Sequence, residues 1–492
     1  MRVAIFHGYL LRGTGSNVYN ANLARALADL GHRVELVCQE RDWRELDWLR
    51  ERADLITVHT PDIGRLLPVY VEDHYEHFEA RAYPRLSDSQ IATYIEANVG
   101  AVAALAHDAP IEAALANHLI MGPLICARAG LPYAVKIHGS ALSYTVKPDR
   151  KRFGPYGREG LLGARGVLVG SGHTARSLFE TYPDLPELPA KTRLGPPGVE
   201  TELFAPVAPP QRRRALHRLA ERAEASSEAG FGRDGARAAA ALRRYADAEG
   251  PRVAFVGKLI VSKGVDLLLA AWPFVHAAHP GARLLLAGFG EYRAGVERIV
   301  AALAAADLAP LRALAAEGRG AEGGRAAPLP LLSAFLACPP DAWLAAAPAA
   351  ANAVDLSGRL SHDEVGPLLG ASDALVFPST FPEAFGMVAA EAAAAGALPI
   401  CADHSGISEV VAGLVEPLDP AVAPLLSFRL DGAVVEAIAS RLLDWLATPA
   451  ADRAAVARSL RAVAARKWGW EGVARGVISA SAGRLDGLPP LP

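Results

Sequence analysis

Short apolar runs alternate along this chain with longer stretches of helical periodicity, and that alternation sets its structural class. Val3 to Phe6 is an apolar run stopped by His7-Gly8. Apolar residues then recur at helical spacing from Asn17 to Leu30 (Val18, Leu23, Ala26, Leu27, Leu30) and stop at Gly31. Arg33 to Cys38 is a second strand and Leu55 to His59 a third. The rhythm continues with a helix over 91–106, a strand over 113–119, a helix over 122–129, a strand from Tyr133 that ends on His138-Gly139, and a strand over 166–171. A second series begins at Val253–Val256 and runs through Arg283 to Gly290, Val354 to Asp363 and Ala371 to Val376. Strands that alternate with helices predict parallel α/β sheets.

Three stretches interrupt the rhythm. Pro61 to Gln90 is long for a connection and carries Tyr70, His74, Tyr75, His77, Phe78 and Tyr83 among charges. Packing beneath a loop is the simpler reading of these aromatics, and sugar stacking the alternative. Gln211 to Gly250 is rich in Arg, Ala and Glu and reads as an exposed helical insertion. Between about Ala301 and Ala353 the Ala/Pro/Gly-rich composition reads as a second insertion.

Candidate chemistry gathers where strands end, because open α/β sheets place ligands there. Leu375-Val376-Phe377 is an apolar strand stopped by Pro378; a loop carrying Pro382 and Gly386 follows, then the helix MVAAEAAAA, stopped by Gly396. Glu383 in the loop and Glu391 in the helix have seven residues between them. Each carboxylate can accept hydrogen bonds from two adjacent hydroxyls, which suits a polyol. The N–H groups at Phe385, Gly386, Met387 and Val388 open the helix and suit an anion or further hydroxyls. Lys258 and Lys263 straddle another strand-to-helix loop and are point-charge donors suited to phosphate. Gly13, Thr14, Gly15 and Ser16 form a glycine-rich first loop, where backbone N–H groups can approach a phosphate. Without a third glycine this loop is not a dinucleotide fingerprint. His138, at a strand end, can donate through one ring nitrogen at the cleft rim.

The stretch Glu383-Ala-Phe-Gly-Met-Val-Ala-Ala-Glu391 resembles the E-x7-E signature of retaining glycosyltransferases of family 4, which have the GT-B fold. Its flanks match too, as do the glycine-rich first loop, His138 at its strand end and Pro196-Pro197-Gly198-Val199 with Phe204 as the interdomain crossing. So do Gly257-Lys258 with Lys263-Gly264, and the C-terminal Trp468-Gly-Trp470-Glu helix. Lys258 departs from the arginine usual in the family, which keeps the charge and loses the bidentate fork.

The resemblance implies two Rossmann-like domains facing across an interdomain cleft. The expected N-terminal acceptor domain is 1–204, completed by a helix at about 468–482; the expected nucleotide-sugar domain is 251–467, with the insertions at 205–250 and 301–353. It further implies a UDP-, GDP- or ADP-sugar donor, no cofactor and no metal. Lys258, Lys263 and the loop Gly13–Ser16 would neutralise the leaving diphosphate, Glu383 orient the sugar hydroxyls, His138 hold the sugar near the reacting carbon and Glu391 grip the ribose. Phe385 to Val388 would contact the donor, and the loop Gly358-Arg359-Leu360-Ser361 would flank the base. A nucleotide-sugar epimerase, a phosphorylase and a non-catalytic GT-B scaffold are the alternatives. The E-x7-E stretch argues against the first two, and the presence of both lysines, both glutamates and His138 against the third.

Composition narrows this further. At 492 residues the chain exceeds one core. A formal charge of −3 excludes broad nucleic-acid binding. Cys38, Cys126, Cys338 and Cys401 form neither a CxxC nor a metal-type cluster, which fits a reducing compartment. With no signal peptide and no apolar run of membrane-spanning length, the expectation is a cytoplasmic protein, with peripheral contact at the inner face of the membrane as a further option. Lys147, Arg150, Lys151, Arg152 and Arg158 follow His138 and point to a phosphorylated or carboxylated acceptor such as a sugar or cyclitol phosphate, or to a lipid-linked acceptor at an anionic surface.

Overall fold

The computed structural model describes residues 1–13, 15–70, 75, 77–226 and 233–492. Thr14 and His74 therefore lie outside the described residues. The chain divides into two compact units, Met1–Gly198 with Trp468–Pro492, and Val199–Lys467.

The first unit is built on β1 (Arg2–Phe6), β2 (Arg33–Val37), β3 (Ile56–His59), β4 (Leu66–Val69), β5 (Glu79–Ala82), β6 (Ala113–Asn117), β7 (Tyr133–Ile137), β8 (Gly166–Val169) and β9 (Thr192–Leu194). Seven of these form a parallel sheet in the order β3-β2-β1-β6-β7-β8-β9. Successive residues of β1 serve opposite faces: Ala4 and Phe6 pack in one core, Val3 and Ile5 in the other. A strand buried on both faces has no polar side to show, which is why these strands read as unbroken apolar runs. The second core takes in Leu23 and Leu27 of helix Gly15–Asp29 and Val477 and Ile478 of helix Trp470–Ser481, so the C-terminus completes this unit.

The long connection over 61–90 is not a plain loop. It holds β4 and β5, paired in parallel, and Tyr70, Tyr75 and Tyr83 are buried in the first core. Packing is thus what its described tyrosines do. Four-residue strands beside Pro61, Pro68 and Pro84 were hidden by the proline punctuation.

The second unit carries β10 (Arg252–Val256), β11 (Arg283–Ala287), β12 (Val354–Gly358), β13 (Ala374–Phe377), β14 (Leu398–Ala402) and β15 (Ser427–Phe428). They form a parallel sheet in the order β12-β11-β10-β13-β14-β15. Gly413 to Val415 end the helix Ser405–Val415.

The described residues of 211–250 are mostly helical, and one face of each helix is buried rather than exposed. Helices Pro209–Ala225 and Gly235–Ala246 pack on each other, on β12 and on helix His362–Gly370. They bury Leu216, Leu219, Leu242 and Tyr245 at 0–2% exposure. The narrow apolar stripe Leu216, Leu219, Ala220, Ala223 sits at helical spacing among arginines that raise the segment's apparent polarity. The bidentate pair Arg233–Glu364 (2.6 and 2.7 Å) ties the hairpin to the first turn of helix His362–Gly370.

Helices Arg293–Ala304, Leu308–Glu317, Pro330–Ala337 and Asp341–Ala351 fill the second interruption. Trp343 donates its indole N–H to Ala270 O (2.7 Å) and Trp272 returns one to Ala350 O (3.1 Å), fixing this group on helix Val265–Ala278. Among the described residues no helix is long and apolar enough to cross a membrane.

Candidate functional site

In each main sheet the strand order reverses once, between β1 and β6 in the first unit and between β10 and β13 in the second. The carboxyl ends of strands at such a reversal leave a crevice for ligand. Polar side chains cluster at both places.

In the first unit, β1 ends on His7, β6 on Asn117-His118 and β7 on His138. With the side-chain amides of Asn17, Asn20 and Asn117 oriented as they stand, the hydrogen bonds fix the tautomers of His7 and His138. Asn117 donates its amide hydrogens to Phe6 O (3.0 Å) and Asn20 Oδ1 (2.7 Å), so its Oδ1 accepts, and His138 Nε2–H donates to it (2.8 Å). Asn20 donates to Ser16 O and to His7 Nδ1 (2.9 Å), which leaves His7 Nε2–H to donate to Asn17 Oδ1 (2.9 Å). Asn17 in turn donates to Arg12 O (2.6 Å). Both imidazoles are neutral: burial pushes His7 down to about 4, and burial with His118, Lys136 and His7 nearby holds His138 well below the usual histidine range.

His138 therefore differs from its expected form. Its one N–H is spent on Asn117, so through Nδ1 His138 can accept a hydrogen bond and cannot donate one. Next to it, His118 sits in the left-handed region (φ +67°) among Tyr9, Tyr70 and His138, with neither buried ring nitrogen hydrogen-bonded. Beneath, Lys136 is buried against Gly195 O and the Tyr19 ring, and burial lowers its ammonium to about 7.

Gly13 and Ser16 lie beside this network, because the loop from Arg12 and the start of helix Gly15–Asp29 supply its carbonyls. Thr14 lies outside the described residues. The basic cluster is largely neutralised. Arg150 and Arg158 pair with Asp184, while Arg152 binds Asp88 and the carbonyls of Pro84 and Leu86. Lys147 and Lys151 are exposed. Arginine forks find carbonyls and carboxylates as readily as ligands, which charge counting along a sequence does not reveal.

In the second unit, the loop after β10 meets the loop after β13. Lys263 Nζ forms an ion pair with Glu383 Oε1, which also accepts from Ser379 Oγ (2.8 Å). Lys263 also lies over the Phe377 ring (5.2 Å), and Lys258 over Phe289 (5.7 Å). Gly264, at φ +65°, ends the lysine loop, and a Cβ there would come 2.1 Å from Pro378 O. Only glycine lets the two loops meet this closely.

Glu383 is held from behind by a proton chain. Its N–H donates to Ser405 Oγ (2.9 Å), Ser405 Oγ–H to His404 Nδ1 (3.0 Å), and His404 Nε2–H to Ser379 O (2.7 Å). Ser379, His404 and Ser405 were visible only as flanks of the E-x7-E stretch; no spacing rule joins them. Phe385 is buried, and Gly386 caps helix Met387–Ala395 without a side-chain partner, so the N–H groups of Met387 and Val388 open at its first turn. Leu360, in the loop after β12, is 9% exposed.

Glu391 is 7% exposed and receives no hydrogen bond from the described residues. Burial and Glu200 raise its carboxyl, and His362 opposes them. A raised carboxyl is more stable protonated in the fold, so its ionisation costs stability once pH passes the unfolded value of 4.5. Glu391→Gln is therefore expected to raise Tm at pH 7, with the gain vanishing below pH 4.5. A thermal scan across pH checks this, and a lower Tm at pH 7 would contradict it.

Among the described residues no group of three or more His, Cys, Asp or Glu side chains could hold a metal ion.

Comparison with known proteins gives two matched domains. The family model for the glycosyl transferase 4-like domain matches residues 14–186, and that for glycosyl transferases group 1 matches residues 344–417. Over 57 residues the chain is 49% identical to glycogen synthase of Halorhodospira halophila, a stretch covering 12% of each protein. Among solved structures, a glycosyltransferase from Rickettsia africae superposes with a TM-score of 0.59 at 15% identity, over 99% of both chains. HepE of Anabaena, solved with UDP-glucose, gives 0.57 at 15% identity, over 98% of this chain and 99% of that one. Sucrose-phosphate synthase of Thermosynechococcus elongatus gives 0.53 at 19% identity, over 96% of each. Likeness at these identities establishes a shared fold.

Proposed function

The chain belongs to the group 1 glycosyltransferases of GT-B fold, and from that premise we propose that it moves a sugar from a nucleoside-diphosphate sugar to a hydroxyl acceptor, with retention at the anomeric carbon, as a family 4 enzyme. The observation that carries this reading is the Lys263–Glu383 pair over the strand-order reversal of the second sheet, beside the open first turn of helix Met387–Ala395. A cation, a carboxylate and unpaired N–H groups are the set that a sugar diphosphate needs. Lys263, with Lys258, neutralises the diphosphate as the glycosidic bond breaks, and the first-turn N–H groups take phosphate oxygens.

Glu383 and Glu391 play different parts. Glu383 keeps Oε2 clear of the lysine and accepts from sugar hydroxyls. Glu391, buried and unsatisfied, accepts from the ribose, which repays the cost of keeping a carboxylate there. The base packs by Leu360. In the first unit the neutral His138 offers Nδ1 to a substrate hydroxyl, and the loop that holds Gly13 and Ser16 offers backbone N–H groups to an anionic group. The acceptor class rests on less: Lys147 and Lys151 alone favour an anionic one, a phosphorylated sugar or cyclitol. HepE, a structural neighbour solved with UDP-glucose, supports a nucleotide-sugar donor.

Nucleotide release measured against a panel of UDP-, GDP- and ADP-sugars tests the reaction. The expected outcome is turnover with one base, retained configuration in the product and no loss on adding EDTA. Calorimetry then separates the glutamates: Glu391→Gln weakens the free nucleoside diphosphate, whereas Glu383→Gln weakens the intact sugar nucleotide and leaves the free nucleotide nearly unchanged. The reverse pattern would exchange their roles, and no turnover with any donor would favour a scaffold.

A further inference from the structure

The lysine loop is pinned along its length by its own sheet. Gly257 N–H donates to Ala287 O (3.1 Å), Leu259 N–H to Phe289 O (2.7 Å), and Tyr292 N–H to Leu259 O (2.9 Å). Beyond Leu259 the sheet gives out, and two other segments take over. On one side Ser262 O accepts from Thr380 N–H (2.9 Å), in the loop that carries Glu383. On the other, Val261 N–H donates to Glu322 Oε2 (2.8 Å).

Glu322 belongs to the helical interruption after β11, outside both matched ranges, 14–186 and 344–417. Its turn is built to present it. Gly318 and Ala327 form a bridge, and Arg319 N–H donates to Ala327 O (3.0 Å). Gly324 N–H and Gly323 N–H close back on Arg319 O and Gly320 O (3.0 Å each). Gly318 sits at φ +52°, and a Cβ there would come 1.8 Å from Ala327 O, so no side chain fits. Arg319 Nε lies 3.3 Å from Glu322 Oε1 and leaves Oε2 for the loop. The carboxylate is 11% exposed and Arg319 61%, so the pair turns its acid inward.

We propose that Glu322 is a positioning residue for the donor diphosphate: it holds the backbone at Val261, two residues before Lys263, so that the lysine ammonium is already in place when the donor arrives. This rests on the glycosyl-transfer reading above. A backbone clamped on both flanks loses little freedom on binding, and preorganisation of this kind appears as affinity. The interruption after β11 thus serves the site through this one carboxylate.

The test uses the full chain, with Glu322→Ala, Glu322→Gln and Lys263→Ala as variants, and UDP, GDP, ADP and the matching nucleosides as probes. Amide exchange at Val261 reads the clamp without ligand. Glu322→Ala is expected to speed that exchange and to weaken the preferred nucleoside diphosphate about ten-fold, the upper end of the scale of one hydrogen bond, while leaving the nucleoside unchanged. Glu322→Gln keeps an amide oxygen for Val261 N–H and is expected to behave as the parent does. Three results overturn the proposal: unchanged diphosphate affinity in Glu322→Ala, an equal loss for the nucleoside, or a Gln variant as weak as the Ala variant. If the parent binds diphosphate and Lys263→Ala weakens it while Glu322→Ala does not, the clamp alone fails. If the parent binds none of the three diphosphates, the donor reading fails as well.

Discussion

Lys263→Ala is expected to lower kcat/KM for sugar transfer by about 30- to 1000-fold, the roughly 2–4 kcal/mol lost when one preorganised donor to developing charge is removed. Two effects add. The leaving diphosphate loses a cation held by a short loop that Ala287 O, Phe289 O and Glu322 pin through backbone N–H groups. Glu383, which pairs with Lys263 in the ligand-free protein, becomes an uncompensated carboxylate beside the diphosphate and repels it. The loss falls on both kcat and donor affinity, so steady-state kinetics with varied donor reads it directly. An unchanged kcat/KM would remove Lys263 from the reaction and, with it, the main support for electrostatic catalysis here.

Asn117→Asp is expected to destabilise the first unit by about 2–6 kcal/mol, because two donated hydrogen bonds are lost in the buried network at about 1–3 kcal/mol each. The side chain is 1% exposed, and its amide is the only part of the exchange that can serve Phe6 O and Asn20 Oδ1 together. Aspartate would still accept from His138 Nε2–H, but it would face two oxygens with an oxygen. Its charge would also raise the His138 imidazole, which the parent keeps neutral. Unfolding followed by near-ultraviolet circular dichroism is expected to show an earlier transition, and transfer at neutral pH to fall as His138 Nδ1 gains a proton and ceases to accept. An unchanged midpoint would mean that the network assigned here does not bear on stability.

Much of the architecture was legible in order. Strands buried on both faces appear as apolar runs whatever lies around them, so β1, β2, β6, β7, β10, β11 and β13 could be read directly. The residues that end those strands could be read as well, because a parallel sheet puts every such end on one rim; this is how Lys258, Lys263, His138 and Glu383 came into view. What failed was whatever depended on a partner distant in sequence. The arginines after His138 looked like a ligand site, and Asp184 and Asp88 had already taken three of them. The two helices over 209–225 and 235–246 looked solvated, yet the stripe Leu216, Leu219, Ala220 and Ala223 on one and Leu242 and Tyr245 on the other bury their inner faces.

By itself the chain determined its class, two series of parallel strands with helices between them, and the identity of the groups on each rim. Periodicity and strand ends are local properties, carried by neighbours within a turn or a pleat. Only the tertiary structure decided which groups meet and in what protonation. Lys263 finds Glu383 across 120 residues, Asn117 fixes the tautomer of His138 across 21, and Glu322 reaches Val261 across 61 from a segment with no visible motif. A hydrogen bond depends on distance and direction in space, and sequence separation constrains neither.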